Sequence, residues 1–468
     1  MAIQDKFNKP NVIYKITKDI DLDGGTLTIP VGCTLDFQGG SFTNGTIVGN
    51  NTKIKAGLQK IFNMNITLNG TWAVPESYPE WFKSIQKALD NFEVVRLSKG
   101  TYEIETPLNI SSGKTLIGSG ALDTTIQSIV GVNCINIQED ARRVTISNMR
   151  IDGTSISNNI GIYCDPDTGG SDHNYNNLVI ANFKNGIKVK EVWWNNTLSE
   201  VRFNSCEVGF NGWESNLGQN IDNLFSKVYS NGHTVSGIDL SAFRNTTLIN
   251  CNFGTTTDLN SPTTFLRIAV NSYGINIISC NFEGCSTTSN NGAILVYSRS
   301  IVSFIGCRFH NIQSTDSLGH CLKVLDNAIV DLKSCIFENN KAIPVYINNE
   351  TASIIYSRCY GITVPPTNYH RCIDLDKKLY NLDLNYFQKF GTEDNVVSSK
   401  RVVTGVNRYP ETVQLTVVGD VPLIATASVI ETSGNFTINL FKPNGTPNDT
   451  AVSVKWFITY NKPLSPLY

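Results

Sequence analysis

Carboxylates, aromatic rings and basic side chains recur at matching places along the middle of this 468-residue chain. In order they are Tyr163 and Asp165, Lys188 and Lys190, Trp213 and Glu214, Asp239, Arg267, Tyr297, Lys323 and Tyr346. Trp and Tyr rings stack on the apolar face of a pyranose, while two acids protonate a glycosidic oxygen and activate water. Acids about 5 Å apart serve a retaining hydrolase, and acids about 6.5–9.5 Å apart an inverting one. Glu214, Asp239 and Asp165 are therefore the candidate catalytic carboxylates, with Trp213, Tyr163, Lys188, Arg267 and Tyr297 as candidate substrate contacts. Elimination from a uronate would instead need a base and a cation to neutralise the carboxylate, and Lys188 with Arg267 is the pair for that. Any one of these acids taken alone reads more simply as a solvated strand residue.

What would bring them together is a repeat. Leu248-Ile249-Asn250-Cys251-Asn252-Phe253 returns as Ile277-Ile278-Ser279-Cys280-Asn281-Phe282 and Phe304-Ile305-Gly306-Cys307-Arg308-Phe309. It returns again as Leu332-Lys333-Ser334-Cys335-Ile336-Phe337 and, degraded, around Cys359. Cys251, Cys280, Cys307, Cys335 and Cys359 stand 29, 27, 28 and 24 residues apart, the mark of one unit stacked on itself. Each unit holds a second alternating strand after a Gly- or Asn-rich turn, among them Ile162-Tyr163-Cys164, Ile238-Asp239-Leu240 and Leu266-Arg267-Ile268. With no amphipathic helix between them, these short strands predict a parallel β-helix. Rungs stacked at about 4.8 Å set equivalent side chains in columns. The cysteines then form an interior column, continued upward by Met149 and Ala181. Twelve cysteines in a chain with a long core read as free packing residues more readily than as a disulfide framework.

Charged residues make up only 17% of the chain, and its net charge of −2 supplies no field for nucleic acid or an anionic membrane. No stretch is long and apolar enough to span a bilayer, so no membrane insertion is expected. The start, Met1 to Phe7, lacks the apolar core of a signal peptide, as expected of a chain folded in the cytosol and released by lysis. No phosphate loop, zinc spacing or nucleophile elbow is present. The five histidines, at 173, 233, 310, 320 and 370, support no metal site, and no cofactor is expected. The run from Asp165 to Asp172 has the oxygen ligands for calcium, although such runs are more often polar loops.

Along the chain, residues 1–78 read as a first unit of short strands. Phe82, Ile85, Leu89 and Phe92 fall at helical spacing and predict an amphipathic helix over 80–92. An open solenoid end must be covered, and this helix is the natural lid. The β-helix then runs over 79–362, a linker or crossover over 363–400, and an antiparallel β domain over 401–468.

The run from Gln86 to Gly120 resembles the entry of the pectate-lyase-like superfamily of right-handed parallel β-helices. The opening unit, through Trp72 and Tyr78-Pro79-Glu80-Trp81-Phe82, resembles tailspike and tail-fibre proteins of phages and prophages of Bacteroides-type hosts. The resemblance covers about residues 1–360 and is one of architecture, since this fold hosts lyases, hydrolases and pure binders. It departs at Lys83, where relatives usually place a Gly-Asp-Gly turn and paired aspartates before the helix. The galacturonase-like pattern of the superfamily, paired aspartates plus Gly-His-Gly, is matched only by halves at Gly232-His233 and Gly319-His320, which read as turn histidines. The resemblance implies a virion tail protein exposed to the extracellular space. It would be a homotrimer held by its C-terminal domain, joined to other tail proteins through its N-terminal unit, and would recognise or degrade a host capsular polysaccharide. The alternatives are a non-catalytic adhesin or structural spike and, further off, a bacterial polysaccharide lyase.

Overall fold

The computed structural model describes residues 3–154, 159–164, 170–190, 192–213, 220–254, 263–288, 291–316, 318–347, 351–362, 372–374, 388–396, 399–402, 410–418, 424–428, 436–441 and 452–460. Two compact units result, residues 1–364 and residues 365–468.

The first unit is a parallel β-helix. Ten strands, from Leu108–Ile110 to Ile343–Ile347, lie side by side in chain order, every neighbouring pair parallel. The repeated phrase builds a second and larger sheet, in which each phrase supplies two short strands such as Thr247–Ile249 and Asn252–Gly254. The corner between them is set by the residue before the cysteine. Asn148, Asn177, Glu200, Lys227, Asn250, Ser279, Gly306, Ser334 and Arg358 all adopt the left-handed conformation, with φ from 48° to 62°. Gly and Asn tolerate that region best, which suits the Asn and Gly found at this place in several rungs.

The corner turns backbone carbonyls inward, and the thiols meet them. Cys251 Sγ donates to Ile249 O at 3.6 Å and to Phe225 O of the previous rung at 3.5 Å, and Cys280 repeats this with Ile278 O and Leu248 O. Cys307, Cys335 and Cys359 do the same. Two residues on, Phe253, Phe282, Phe309 and Phe337 stack with centroids 5.0, 5.2 and 4.3 Å apart. The column continues upward through Val228, Val201 and Leu178 to Met149, and not through Ala181, which pairs with Asp152. Among the described side chains, eleven cysteines are free thiols. The hydrogen bond with Cys280, together with burial, raises the Cys307 thiol to about 12. A rise of about three units cuts the thiolate population at neutral pH roughly a thousandfold. Cys280, Cys307 and Cys335 are accordingly expected to resist alkylation in the native chain and to react within minutes in denaturant. Native labelling of Cys280, located by peptide mass mapping, would contradict this column.

At the N-terminal side, strands Ile13–Ile16, Thr26–Thr28, Thr34–Phe37, Gly45–Lys55 and Ile66–Trp72 form a parallel sheet of their own. The expected helix over 80–92 is divided into a single 3-10 turn, Pro79–Trp81, and an α-helix, Ile85–Asn91. Lys83 takes the left-handed conformation (φ 57°), and Ser84 caps the helix by accepting from Lys87 N at 3.2 Å, so the missing aspartates are replaced by a serine cap. Phe82, Ile85, Leu89 and Phe92 are all buried. Gln86 closes the sheet edge: its Oε1 accepts from Asn109 N at 2.8 Å and its Nε2 donates to Asn109 O at 3.0 Å. One side chain thus replaces the missing partner of the first rung.

In the second unit, Gln388–Val396 and Pro410–Val418 flank Val452–Tyr460, and Ser399–Val402 and Ile424–Ser428 flank Phe436–Phe441, all antiparallel. Strand Gln388–Val396 and the first two residues of Ser399–Val402 fall within the stretch read as a linker, because their polar composition hides the alternation that backbone pairing exploits.

Candidate functional site

The register of the ten-stranded sheet fixes one outward column: Asn109, Asn136, Tyr163, Lys188, Asn211, Asp239, Arg267, Leu295, Lys323 and Tyr346. Each residue pairs with the next across one rung. Tyr163, Lys188, Asp239, Arg267, Lys323 and Tyr346 thus share one line, as read from the sequence. Asn211 holds the place in that line assigned to Trp213, which stands two residues further along. Asn211 was legible as one period beyond Lys188 but is chemically quiet, and the neighbouring indole drew attention from it.

At the centre of the column Asp239 is fully buried, and both its oxygens accept from Arg267 Nε and Nη2, with Nε at 2.6 Å from Oδ1. The Arg267 side chain is 24% exposed. Burial pushes the Asp239 carboxyl above the usual range, against the hydrogen bonds and charge of Arg267. Burial likewise opposes the charge on Arg267, and Asp239 more than offsets it. The Trp213 ring lies 4.7 Å from the guanidinium carbon and 5.4 Å from the Tyr297 ring, edge to face. Tyr297 belongs three rungs below Trp213, and the ladder continues past the strand ends through Ser241 N to Gly212 O, Ala269 N to Leu240 O and Tyr297 N to Ile268 O. Ser241 and Ala269 are small and buried, which leaves the indole room to lie along the solenoid axis and reach both partners. Asn211 fixes its root, accepting from Trp213 N at 3.0 Å and donating to Asn185 at 2.8 Å.

Further along, Lys323 stands 5.6 Å over the Tyr346 ring, and His320 packs against that ring at 4.4 Å. His320 opens the strand His320–Val324 instead of sitting in a turn, and burial, aided by Lys323, lowers its pKa to about 4. Burial does the same to His233. Both histidines are therefore neutral near pH 7.

Glu214 and Asp165 lie outside the described residues, as does most of the oxygen-rich run 165–172. Among the described residues the column holds one carboxylate, Asp239, and it is engaged by Arg267. Lys188 stands three rungs from Arg267, about 14 Å along the axis, too far for both to act on one sugar. No group of three or more His, Cys, Asp or Glu side chains suited to a metal occurs among the described residues. No helix among them is long and apolar enough to cross a membrane.

No family model matches the chain, and no curated protein matches it in sequence. Its fold is similar to solved structures of phage tailspikes. The enzymatically active domain of bacteriophage CBA120 tailspike protein 2 is 11% identical, covering 83% of this chain and 71% of that one, with a TM-score of 0.52. Full-length tailspike protein 2 from an Escherichia coli O157:H7 bacteriophage is 12% identical, covering 84% and 69%, with a TM-score of 0.51. At these identities the likeness is one of fold: the chain has the β-solenoid architecture found in phage tailspike proteins.

Proposed function

We propose that this chain is a phage or prophage tailspike (tail-fibre) protein that binds a host cell-surface polysaccharide along the outward column of its ten-stranded sheet. The observation that carries the reading is the Trp213–Arg267–Tyr297 platform: two rings set edge to face around a cation, on a straight ladder long enough for an extended sugar chain. The tailspike architecture supports the same assignment. So does the resemblance of the opening unit to tail proteins of phages of Bacteroides-type hosts and of Gln86–Gly120 to the pectate-lyase-like entry. In this reading the chain is a homotrimer of the virion tail, attached through residues 1–78 and held together by its C-terminal β unit.

Binding without cleavage is favoured by one feature. Asp239 is buried, and while Arg267 holds both its oxygens it cannot pass a proton to a leaving group. Hydrolysis would therefore fall to Glu214 and Asp165, and elimination to Lys188 or Tyr163. The test is incubation of the whole chain with capsular polysaccharides of candidate hosts, followed by product size and the ultraviolet signature of an unsaturated uronate. Binding without fragments identifies an adhesin. Fragments lacking that signature mean a hydrolase, and fragments bearing it a lyase, in which case a bacterial lyase becomes the competing origin. Trp213→Ala is expected to weaken binding by about 2 kcal/mol, roughly thirtyfold, with little change in melting temperature. Unchanged affinity would move the site away from this face.

A further inference from the structure

The two sheets of the β-helix meet solvent differently. On the outward ladder of the ten-stranded sheet the one aliphatic residue, Leu295, is 4% exposed. The larger sheet leaves apolar side chains open: Ile301 is 46% exposed, Ile336 40% and Tyr360 71%. These residues are not scattered. Ile301 pairs with Ile329, Ile278 with Ile305 and Ile336 with Tyr360, three pairs on neighbouring rungs. Together they span four rungs and both sides of the corner, a patch of roughly 400 Å² at sheet spacings. Contiguous apolar patches of that size mark contact surfaces. On the strands Ile301–Ile305, Arg308–His310, Ile329–Lys333 and Ile336–Glu338, Arg308 pairs with Glu338, Lys333 with Asp331 and His310 with Glu283. Charges cancelled in this way let the face meet a copy of itself without repulsion.

Length and period set the occupant. The rungs of the larger sheet from Thr145 to Ile355 stand over about 38 Å of the axis. With about 30 Å of strand across each rung, the face reaches roughly 1,100 Å², and a stable interface needs about 800 Å² on each partner. Its side chains recur at every rung of about 4.8 Å, so a partner with any other rise falls out of step within a few rungs. A second copy lying parallel stays in step over the whole face. We propose that copies of this chain meet through the outward face of the larger sheet, with the three apolar pairs at the centre of the contact. The ten-stranded sheet and its Trp213–Arg267–Tyr297 platform then stay turned to solvent. This rests on the homotrimer of the reading above and adds to it, since there the C-terminal β unit holds the copies and here the β-helices also hold one another.

The experiment follows the full chain by sedimentation equilibrium over about a hundredfold range of concentration, beside Ile329→Glu and the double variant Ile301→Glu/Ile329→Glu. The parent is expected to be a trimer. The double variant should weaken association at least about tenfold, because it sets like charges against one another in the contact. Its far-ultraviolet circular dichroism should be unchanged, since both side chains are exposed in the single chain. A second readout is labelling by a maleimide. Ile336→Cys should react at least about tenfold more slowly than Leu122→Cys, whose position is 90% exposed and lies outside the nine rungs. A trimer that ignores both substitutions and labels Ile336→Cys as fast as Leu122→Cys would overturn this face and leave assembly to the C-terminal unit. A parent chain that is monomeric at every concentration would overturn the homotrimer and this inference together. Slow labelling of Ile336→Cys in such a monomer would mean that the chain covers its own face.

Discussion

Gly186→Ala is expected to destabilise the first unit by about 3 kcal/mol or more, the cost of overpacking a core that has nowhere to yield. A methyl there would stand 2.5 Å from Gly209 O on the next rung and 2.6 Å from the Phe203 ring. Gly161, Gly186, Gly209 and Gly237 stack as a column at the entry to successive rungs, and a Cβ on each would meet the carbonyl below at 2.4–2.6 Å. Rung spacing is set by ladder hydrogen bonds, so the carbonyl cannot retreat without breaking them. Phe203 reaches across from the second sheet to fill the volume the glycines leave. Where the column changes to Phe265, that ring fills the interior itself, packing on Phe253 and Phe282.

The control is Gly57→Ala. Gly57 has open space around its Cβ direction, and the substitution should fall within about 0.5 kcal/mol of neutral. Adding Phe203→Leu to Gly186→Ala should recover only the part of the loss due to the ring, leaving the carbonyl clash. The readout is the unfolding midpoint by circular dichroism. Equal midpoints for Gly186→Ala and Gly57→Ala would show that the rungs separate at no cost, and would sink the argument.

These glycines show how far the sequence can be read. The cysteine phrase is legible because four of its six positions each have one physical job: an inward apolar residue, a left-handed corner, a thiol facing inward carbonyls, and an inward Phe. The period therefore survives sequence drift. Above Val228 the phrase disappears, since Val201 and Leu178 fill the thiol slot and the left-handed corners at Glu200 and Asn177 sit inside strands that run unbroken over Thr197–Asn204 and Asn174–Ala181. A reader counting from the last small apolar residue arrives at Ala181, three positions late. The glycines were read as turn punctuation, which is the local meaning of Gly. Their stacking on one another is non-local and appears only when the register is known.

The outward column was legible for a different reason. Strand alternation fixes which face a residue takes, and the period fixes its rung, so Asp239 and Arg267 could be placed in one line from spacing alone. Their pairing was equally implicit, as residues 28 apart in a repeat of that length are neighbours. What spacing could not convey is burial. Position in the alternation marks Asp239 as outward, yet it is fully buried against Arg267, over whose guanidinium the Trp213 ring lies. The carboxylate read as a candidate acid is thus paired with a neighbouring rung and closed off from water.

Arg267→Met tests that pairing and should cost about 3–5 kcal/mol near pH 7, because it leaves a carboxylate buried with no countercharge. The loss has a ceiling. Asp239 can escape by taking a proton, at about 1.4 kcal/mol for each pH unit above its ordinary value near 3.9, so about 4 kcal/mol bounds the electrostatic part at pH 7. The pH dependence follows from the sign of the shift. Burial raises the folded-state pKa of Asp239, and without Arg267 nothing on the opposing side remains but Ser236. Between the unfolded value and the raised folded value the native state binds more protons than the unfolded one, so stability falls as pH rises through that window. The deficit of Arg267→Met against the parent chain should therefore be largest at pH 7–8 and shrink steadily toward pH 4. Asp239→Leu placed in the Arg267→Met background should restore most of the pH 7 loss, since an apolar pair of similar volume needs no countercharge. Thermal midpoints at pH 4, 5.5 and 7.5 for the three chains decide it. A deficit that ignores pH, or one that Asp239→Leu deepens, would mean that Arg267 matters as packing beneath Trp213 and not as the partner of a buried charge.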